Sequence, residues 1–257
     1  MLDHFANRST PAHRLDPAAK TVAMLAVVLA TVLVGRDRFL ALVPVAAALA
    51  AYHAVSRTPV RYTVRRMAVV SPLAVAVVVL FPFLEPGKVL ARWPVGGAEI
   101  VITEEGLVRA GHLLAKFVLC SWAALLLLAT TRFQDLLQGL ARLRVPRVFV
   151  TQLAVLYRYL WVVLDESMHM RMARAARDGG LGPWRLRFRS RAGVVGVLFL
   201  RSWDRAERIY RAMTARGFDG TLHAPRRGRM RAADWLFVAC TVALAAAVVA
   251  GDHLAHG

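Results

Sequence analysis

Two arginines stand at helix ends, where a guanidinium can be offered to a partner. Arg216 follows Ala215 and precedes Gly217 near the end of WDRAERIYRAMTARGFDG (Trp203 to Gly220), and Arg177 follows Ala176 at the end of another helical run 39 residues earlier. A guanidinium is a planar fork of N–H donors that fits a carboxylate with two parallel bonds. The alanine before each arginine permits close approach, and Gly217 supplies a left-handed residue that stops the helix and presents its tip. The first tip departs from the pattern, with Asp178 third and Gly179 fourth, so Asp178 is placed to pair with Arg177 when no partner is present. This is docking chemistry rather than catalysis. Two matching tips in one chain imply two matching acceptors.

Long helices must carry these tips. Val195, Phe199, Ser202, Ala206, Ile209 and Met213 recur at spacings of three and four, while Arg201, Arg205, Arg208 and Arg211 fill the other face. Asp204 with Arg208 and Glu207 with Arg211 are acid-before-base pairs, each worth about 0.2–0.5 kcal/mol. Arg216 sits at the negative end of the helix dipole. Upstream, Phe133 to Leu143 reads as a short amphipathic helix ended by Val145-Pro146, and Phe149 to Arg177 as a helix of ~43 Å. The first half of that helix is apolar enough to pass for a span. Arg158 near its middle would cost at least ~2.5 kcal/mol in lipid, so the helix is expected to pack at the membrane face instead. Met168, Met170 and Met172 read as adaptable packing rather than a soft-metal site. Gly180 to Arg191 is expected to be a loop whose four arginines, beside Trp184 and Phe188, suit anionic lipid headgroups.

The remaining chain is membrane. A content of 58% hydrophobic residues coexists with a net charge of +18 only if the two are segregated. From Arg132 to Arg231 there are 21 arginines, no lysine and 7 acids, so most of the net charge lies in that one segment. Apolar runs at Thr21 to Gly35, Phe39 to Val55, Met67 to Leu84, Leu113 to Thr130 and Trp235 to Gly251 are each near the short end of what crosses a ~30 Å hydrocarbon core. The fold class is therefore an all-α integral membrane protein, with about five transmembrane helices plus long cytoplasmic coupling helices. Its domains are 1–131 with four spans, the Arg-rich segment 132–231, and a last span in 232–257. Asp16 can cap the first helix and Pro17 can begin it. The second apolar run follows so closely that a helical hairpin is preferred to a cleaved signal.

Arg8, Arg14 and Lys20, then Arg57, Arg61, Arg65 and Arg66, then the Arg-rich segment mark the cytoplasmic side by the positive-inside rule. The loop Glu85 to Gly106, with four glutamates against Lys88 and Arg92, marks the other. Five spans then alternate from an inside N-terminus to an outside C-terminal end, and Arg36-Asp37-Arg38 is a mild exception. Cys120 and Cys240, each in an apolar run, read as membrane-buried thiols. Lys116, about one turn inside the fourth span, is expected either to snorkel or to meet an ionised partner. His53 and His112 are read as polar residues at interfaces. The sequence has no GxxxxGK[ST], GxGxxG, HExxH or Cys/His cluster, so energy must come from elsewhere.

HRLDPAAK (His13 to Lys20), EEGLVRAG (Glu104 to Gly111), TTRFQDLLQGLARLRVP (Thr130 to Pro146), LYRYLWVVLDE (Leu156 to Glu166), MRMARAARDGG and FLRSWDRAERIYRAMTARGFDG together resemble the transmembrane T subunit of energy-coupling factor importers, and within it the cobalt-type branch, CbiQ. The resemblance implies a scaffold joining a substrate-capture membrane protein to two copies of a CbiO-type ABC ATPase. It also implies a CbiM-type capture subunit, a small CbiN-type subunit, surrounding membrane lipids and no nucleic acid. By position, Ala176 and Arg177 match the first ATPase-docking signature and Ala215, Arg216 and Gly217 the second. The chain would bind no cofactor and have no catalytic role of its own. ATP and magnesium would sit on the ATPases and the cobalt (cobalt/nickel) solute on the capture subunit, in a bacterial inner membrane. Two other readings compete. A stand-alone secondary carrier would need polar sites on broken helices, and a nucleic-acid binder would show steeply salt-dependent binding through the basic segment.

Overall fold

The computed structural model describes residues 15–35, 38–84, 87–95, 98–178, 183–220 and 230–254. Arg8, His13, Arg14, the Arg36-Asp37 pair, Glu85, Gly179 to Gly182 and residues 255–257 lie outside the described residues. The elements in order are α1 (Pro17–Leu33), α2 (Phe39–Ser56), α3 (Val60–Leu84), β1 (Val89–Val95), β2 (Ala98–Thr103), α4 (Glu104–Thr130), α5 (Phe133–Arg142), α6 (Arg147–Asp178), α7 (Trp184–Ala215) and α8 (Ala232–Leu254). The chain forms two units, residues 1–139 with 227–257 and residues 140–226. The helical class holds, with one addition. Part of the loop expected after Glu85 is an antiparallel hairpin pairing Val89 with Thr103 and Val95 with Ala98.

Asp16 caps α1 as expected, its Oδ1 accepting from the Ala18 N–H at 2.9 Å with Pro17 at the first helical position. α1 buries a face of small residues, Ala18, Ala19, Ala23 and Ala30, which lets neighbouring backbones approach closely where lipid offers no hydrophobic drive. Val27 of α1, Leu42, Val45 and Leu49 of α2, Leu119, Ala123 and Leu126 of α4 and Val248 of α8 complete the core. Thr103 caps α4 and its hydroxyl donates to the Pro82 carbonyl at 3.3 Å, tying the end of α3 to the start of α4. α3 is bent by 49° where Val60–Pro72 meets Ala74–Pro82, because Pro72 removes a helix bond and crowds the preceding turn.

Helix directions follow from contacts at the helix ends. α1 and α8 are parallel, since Asp234 Oδ1 accepts the Asp16 N–H at 2.8 Å and Asp252 Oδ2 accepts the Gly35 N–H at 2.6 Å. α4 runs against them. Its last residue, Thr130, accepts from Lys20 Nζ at 3.1 Å, and its Lys116 Nζ donates to the Val32 and Val34 carbonyls at 3.0 and 2.6 Å. α2 also runs against α1, with Tyr52 near its end 3.1 Å from the Thr130 hydroxyl and Phe39 at its start edge-on to His112. α3 therefore carries the chain back to the end where α4 begins. α1 has only 17 residues, yet its two ends meet the two ends of α8, so it traverses the same layer.

Among the described residues four helices can cross a membrane by length and composition, α2, α4, α6 and α8, or five if the halves of α3 are one span. Direction sorts them. Because α4 ends and α8 starts at the same end, residues 131–231 contain an even number of crossings, and α6 is no lone sixth span. Some local expectations are corrected. Arg61, Arg65 and Arg66 lie in the first turns of α3 rather than in a loop, with Arg66 over the Tyr62 ring. Lys116, expected to snorkel or to meet an ionised partner, lies at the end of α1 where the Asp252 carboxylate attracts it. It supplies donors to the carbonyls that α1 leaves unpaired at its C-terminal end. His53 accepts from Trp122 Nε1 at 3.2 Å.

Two measurements test this core. In a chain with Cys120 and Cys240 replaced by alanine, Arg132→Cys and Arg231→Cys should react with an impermeant maleimide from one side of sealed vesicles, and Lys88→Cys from the other. At Gly139 a Cβ would lie 3.0–3.2 Å from the backbone of Pro17 and Ala18. Gly139→Val should therefore lower thermal stability in detergent by an overpacking cost of about 1–3 kcal/mol.

Candidate functional site

The basic tips end two 32-residue helices, each ~48 Å long. α6 ends at Asp178 with Ala176 and Arg177 in its last turn, both exposed. The Gly179 stop and the pairing of the Asp178 side chain with Arg177 lie outside the described residues. The second tip is described in full. Ala215 closes α7, Arg216 is its C-cap, and Gly217 has φ of 79°. The Gly217 N–H donates to the Thr214 carbonyl and the Phe218 N–H to the Met213 carbonyl, each at 3.0 Å. This double closure is a Schellman motif, with Phe218 and Met213 both half-buried. It satisfies carbonyls that would otherwise be orphaned and leaves Ala215 and Arg216 facing out.

α6 and α7 pack on each other, and the contact line differs from the expected one. On α7 the half-buried residues are Ser190, Val194, Leu198, Ser202, Arg205, Ile209 and Met213, whereas Val195, Phe199 and Ala206 are exposed. Ser202, Ile209 and Met213 keep their expected place, while Val194, Leu198 and Arg205 stand where Val195, Phe199 and Ala206 were expected, and Arg205, read as part of the solvated face, turns toward Glu166 on α6. Glu166 Oε1 accepts from Arg201 Nη1, and its Oε2 lies 3.7 Å from Arg205 Nη2. Sequence reading missed Glu166. The signal was its spacing, 11 residues before Arg177 just as Arg205 is 11 residues before Arg216. The ion cluster is thus the same ~16 Å from both tips at 1.5 Å per residue. Of the two predicted pairs within α7, Glu207–Arg211 forms; Asp204–Arg208 is not among the described ion pairs.

The expected loop Gly180 to Arg191 is mostly helix. α7 starts at Trp184 behind Pro183, which acts as an N-cap instead of prolonging a break. Arg185, Arg187, Arg189 and Arg191 therefore stand in its first two turns beside exposed Trp184 and Phe188. Met168 and Met172 are exposed while Met170 is half-buried, so the three thioethers do not converge.

A helical membrane core with a basic two-helix segment and exposed arginine tips has relatives. Residues 8–227 match the CbiQ family, described as cobalt transport protein. The chain belongs to that family. A cobalt transport protein CbiQ of Rhodobacter capsulatus is 30% identical over 181 residues, covering 70% of this chain and 72% of its own. An energy-coupling factor transporter transmembrane protein EcfT of Bacillus selenitireducens is 29% identical over 222 residues, covering 81% and 80%. A protein of Methanocorpusculum labreanum named as a fused cobalt transport protein CbiMQ is 28% identical over 131 residues, 51% of this chain and 22% of its own. CbiQ membership and the apolar helices make this chain a multi-pass membrane protein, the transmembrane component of an energy-coupling factor transporter. Such a component works with ATPase and substrate-capturing partners.

The cap at the second tip is testable. Gly217→Ala forces a side chain into the left-handed region at about 1–2 kcal/mol. Amide exchange at Gly217 and Phe218 should rise roughly tenfold, with Gly217→Asn falling between the two.

Proposed function

We propose that this chain is the coupling subunit of an ATP-driven cobalt (cobalt/nickel) importer. Ala176 and Arg177 form one ATPase-docking tip and Ala215, Arg216 and Gly217 the other. The observation that carries this reading is the pair of exposed arginine tips lying the same number of residues beyond one ion cluster, Glu166 with Arg201 and Arg205. Two rigid helices joined at a common point convert a change in spacing between their ends into a rotation about that point. ATP binding and hydrolysis on two CbiO-type subunits would supply the change in spacing. The membrane-facing halves of α6 and α7 would pass it to a CbiM-type capture subunit, so that its site turns inward.

In this reading the chain hydrolyses nothing and holds no cofactor. ATP and magnesium belong to the ATPases, the cobalt ion to the capture subunit, and a small CbiN-type subunit completes the assembly. The relative named as a CbiMQ fusion supports a capture subunit as neighbour. The N-terminus and segment 132–231 face the cytoplasm of a bacterial inner membrane, by their excess of arginine. Trp184 and Phe188, with the arginines around them at the start of α7, suit the headgroup layer. Family membership does not favour a stand-alone carrier.

The test is to tag the chain in its host, solubilise the membranes gently and quantify what co-purifies. Arg177→Glu with Arg216→Glu should lower recovery of the ATPases at least tenfold while membrane insertion and capture-subunit recovery persist. Undiminished ATPase recovery would overturn the docking role.

A further inference from the structure

The segment 132–231 joins the membrane helices at two covalent junctions, and the structure places both of them against the same turn of α1. On the outgoing side, Lys20 is 1% exposed and its Nζ donates to the Thr130 carbonyl, the last residue of α4. Thr130 is in turn fixed by its hydroxyl, which donates to the Leu126 carbonyl at 2.8 Å and lies 3.1 Å from the Tyr52 hydroxyl. Nine residues further on, Gly139 of α5 lies so close to Pro17 and Ala18 that a methyl group would touch their backbone. On the returning side, Asp234 is 4% exposed and accepts two backbone N–H groups, Asp16 at 2.8 Å and Arg231 at 2.8 Å.

We infer that the first turn of α1, Asp16 to Lys20, is the anchor that fastens both ends of the coupling segment to the spans, with Lys20 and Asp234 as its positioning residues. The residue types suit the task. Pro17 removes an N–H that would need a partner and presets the turn, and Ala18 and Ala19 keep the surface flat enough for α5 to lie against it. A buried ammonium and a buried carboxylate hold their positions strongly, because a charged group in a poorly solvating site gives up a hydrogen bond only at a large cost. The bonds each makes to backbone fix where the chain runs. The anchor makes the junctions stiff. In the coupling role proposed above, the fixed position of these junctions against α1, α4 and α8 is what lets ATP hydrolysis drive cobalt movement.

The inference rests on the coupling role proposed above, and its test separates the two. The chain in nanodiscs, free of partners, is first read by amide hydrogen exchange. Lys20→Met should raise exchange in 131–142 at least tenfold and leave 231–236 protected, Asp234→Asn should do the reverse, and Lys20→Arg should restore protection. Arg177→Glu should change neither region. The complete complex is then reconstituted in vesicles, and radiolabelled cobalt(II) uptake is measured against ATP hydrolysed. Both anchor variants should keep their subunit composition and ATP hydrolysis within about twofold while cobalt per ATP falls at least tenfold. Unchanged exchange in both variants overturns the anchor, as does loosened exchange with unchanged cobalt per ATP. A wild-type complex that hydrolyses ATP without moving cobalt counts against the cobalt reading instead, and the exchange experiment still decides the anchor.

Discussion

The parallel pairing of α1 with α8 is the contact on which the rest of the membrane unit depends. It joins the two ends of the chain, and it is made by carboxylates on backbone: Asp234 at one end and Asp252 at the other. In a bilayer, apolar faces gain nothing by meeting one another rather than lipid, so association relies on close packing and on polar groups with no alternative partner. α1 is well suited to both. Its alanine face admits neighbours on several sides, and its ends offer N–H and carbonyl groups that the helix itself cannot satisfy. Asp234 takes the N–H of Asp16, Asp252 takes that of Gly35, and Lys116 takes the carbonyls of Val32 and Val34. Arg38 reinforces the far end through Asp252.

The second unit is built on different physics. α6 and α7 bury almost none of their surface, and their mutual contact is a single half-buried line with the Glu166 ion cluster along it. Isolated helices hold together only marginally in water, and their length, their i,i+4 pairs and the Schellman cap at Gly217 all work in their favour. An exposed ion pair contributes little to stability, about 0–1 kcal/mol. Its value here is geometric, because Glu166 engages two arginines one turn apart and so fixes the register in which the helices touch. Long exposed aromatic and aliphatic residues on both helices, among them Phe199, Trp203, Leu156 and Trp161, describe a segment shaped for partners and membrane rather than for an existence alone.

The division between the units suits the transmitting role proposed above. A part that receives force at exposed tips must be stiff along its length, and helices supply that. A part that delivers force inside a membrane must be fastened firmly to its neighbouring spans. Among the buried polar groups, Lys20, Thr130 and Asp234 gather at one end of the membrane unit, around the first turn of α1.

The helical class, the five apolar runs, the concentration of arginine in one segment and the capped tip at Gly217 were legible in the sequence, because each depends on composition or on residues within one turn. Hydropathy runs, a proline at a helix start and a glycine after an arginine are local signals. Their physical causes, desolvation of the backbone and the steric cost of positive φ, act on the residue that carries them. The helix directions, the exclusion of α6 as a lone span, the partner of Lys116, the orientation of Arg205 toward Glu166 and the use of Lys20 were decided only in three dimensions. In each of these a charged or polar side chain meets a backbone group or an opposite charge far away in the chain, as Asp16 does with Asp234 across 218 residues. No spacing rule relates such positions, since what brings them together is the packing of whole helices.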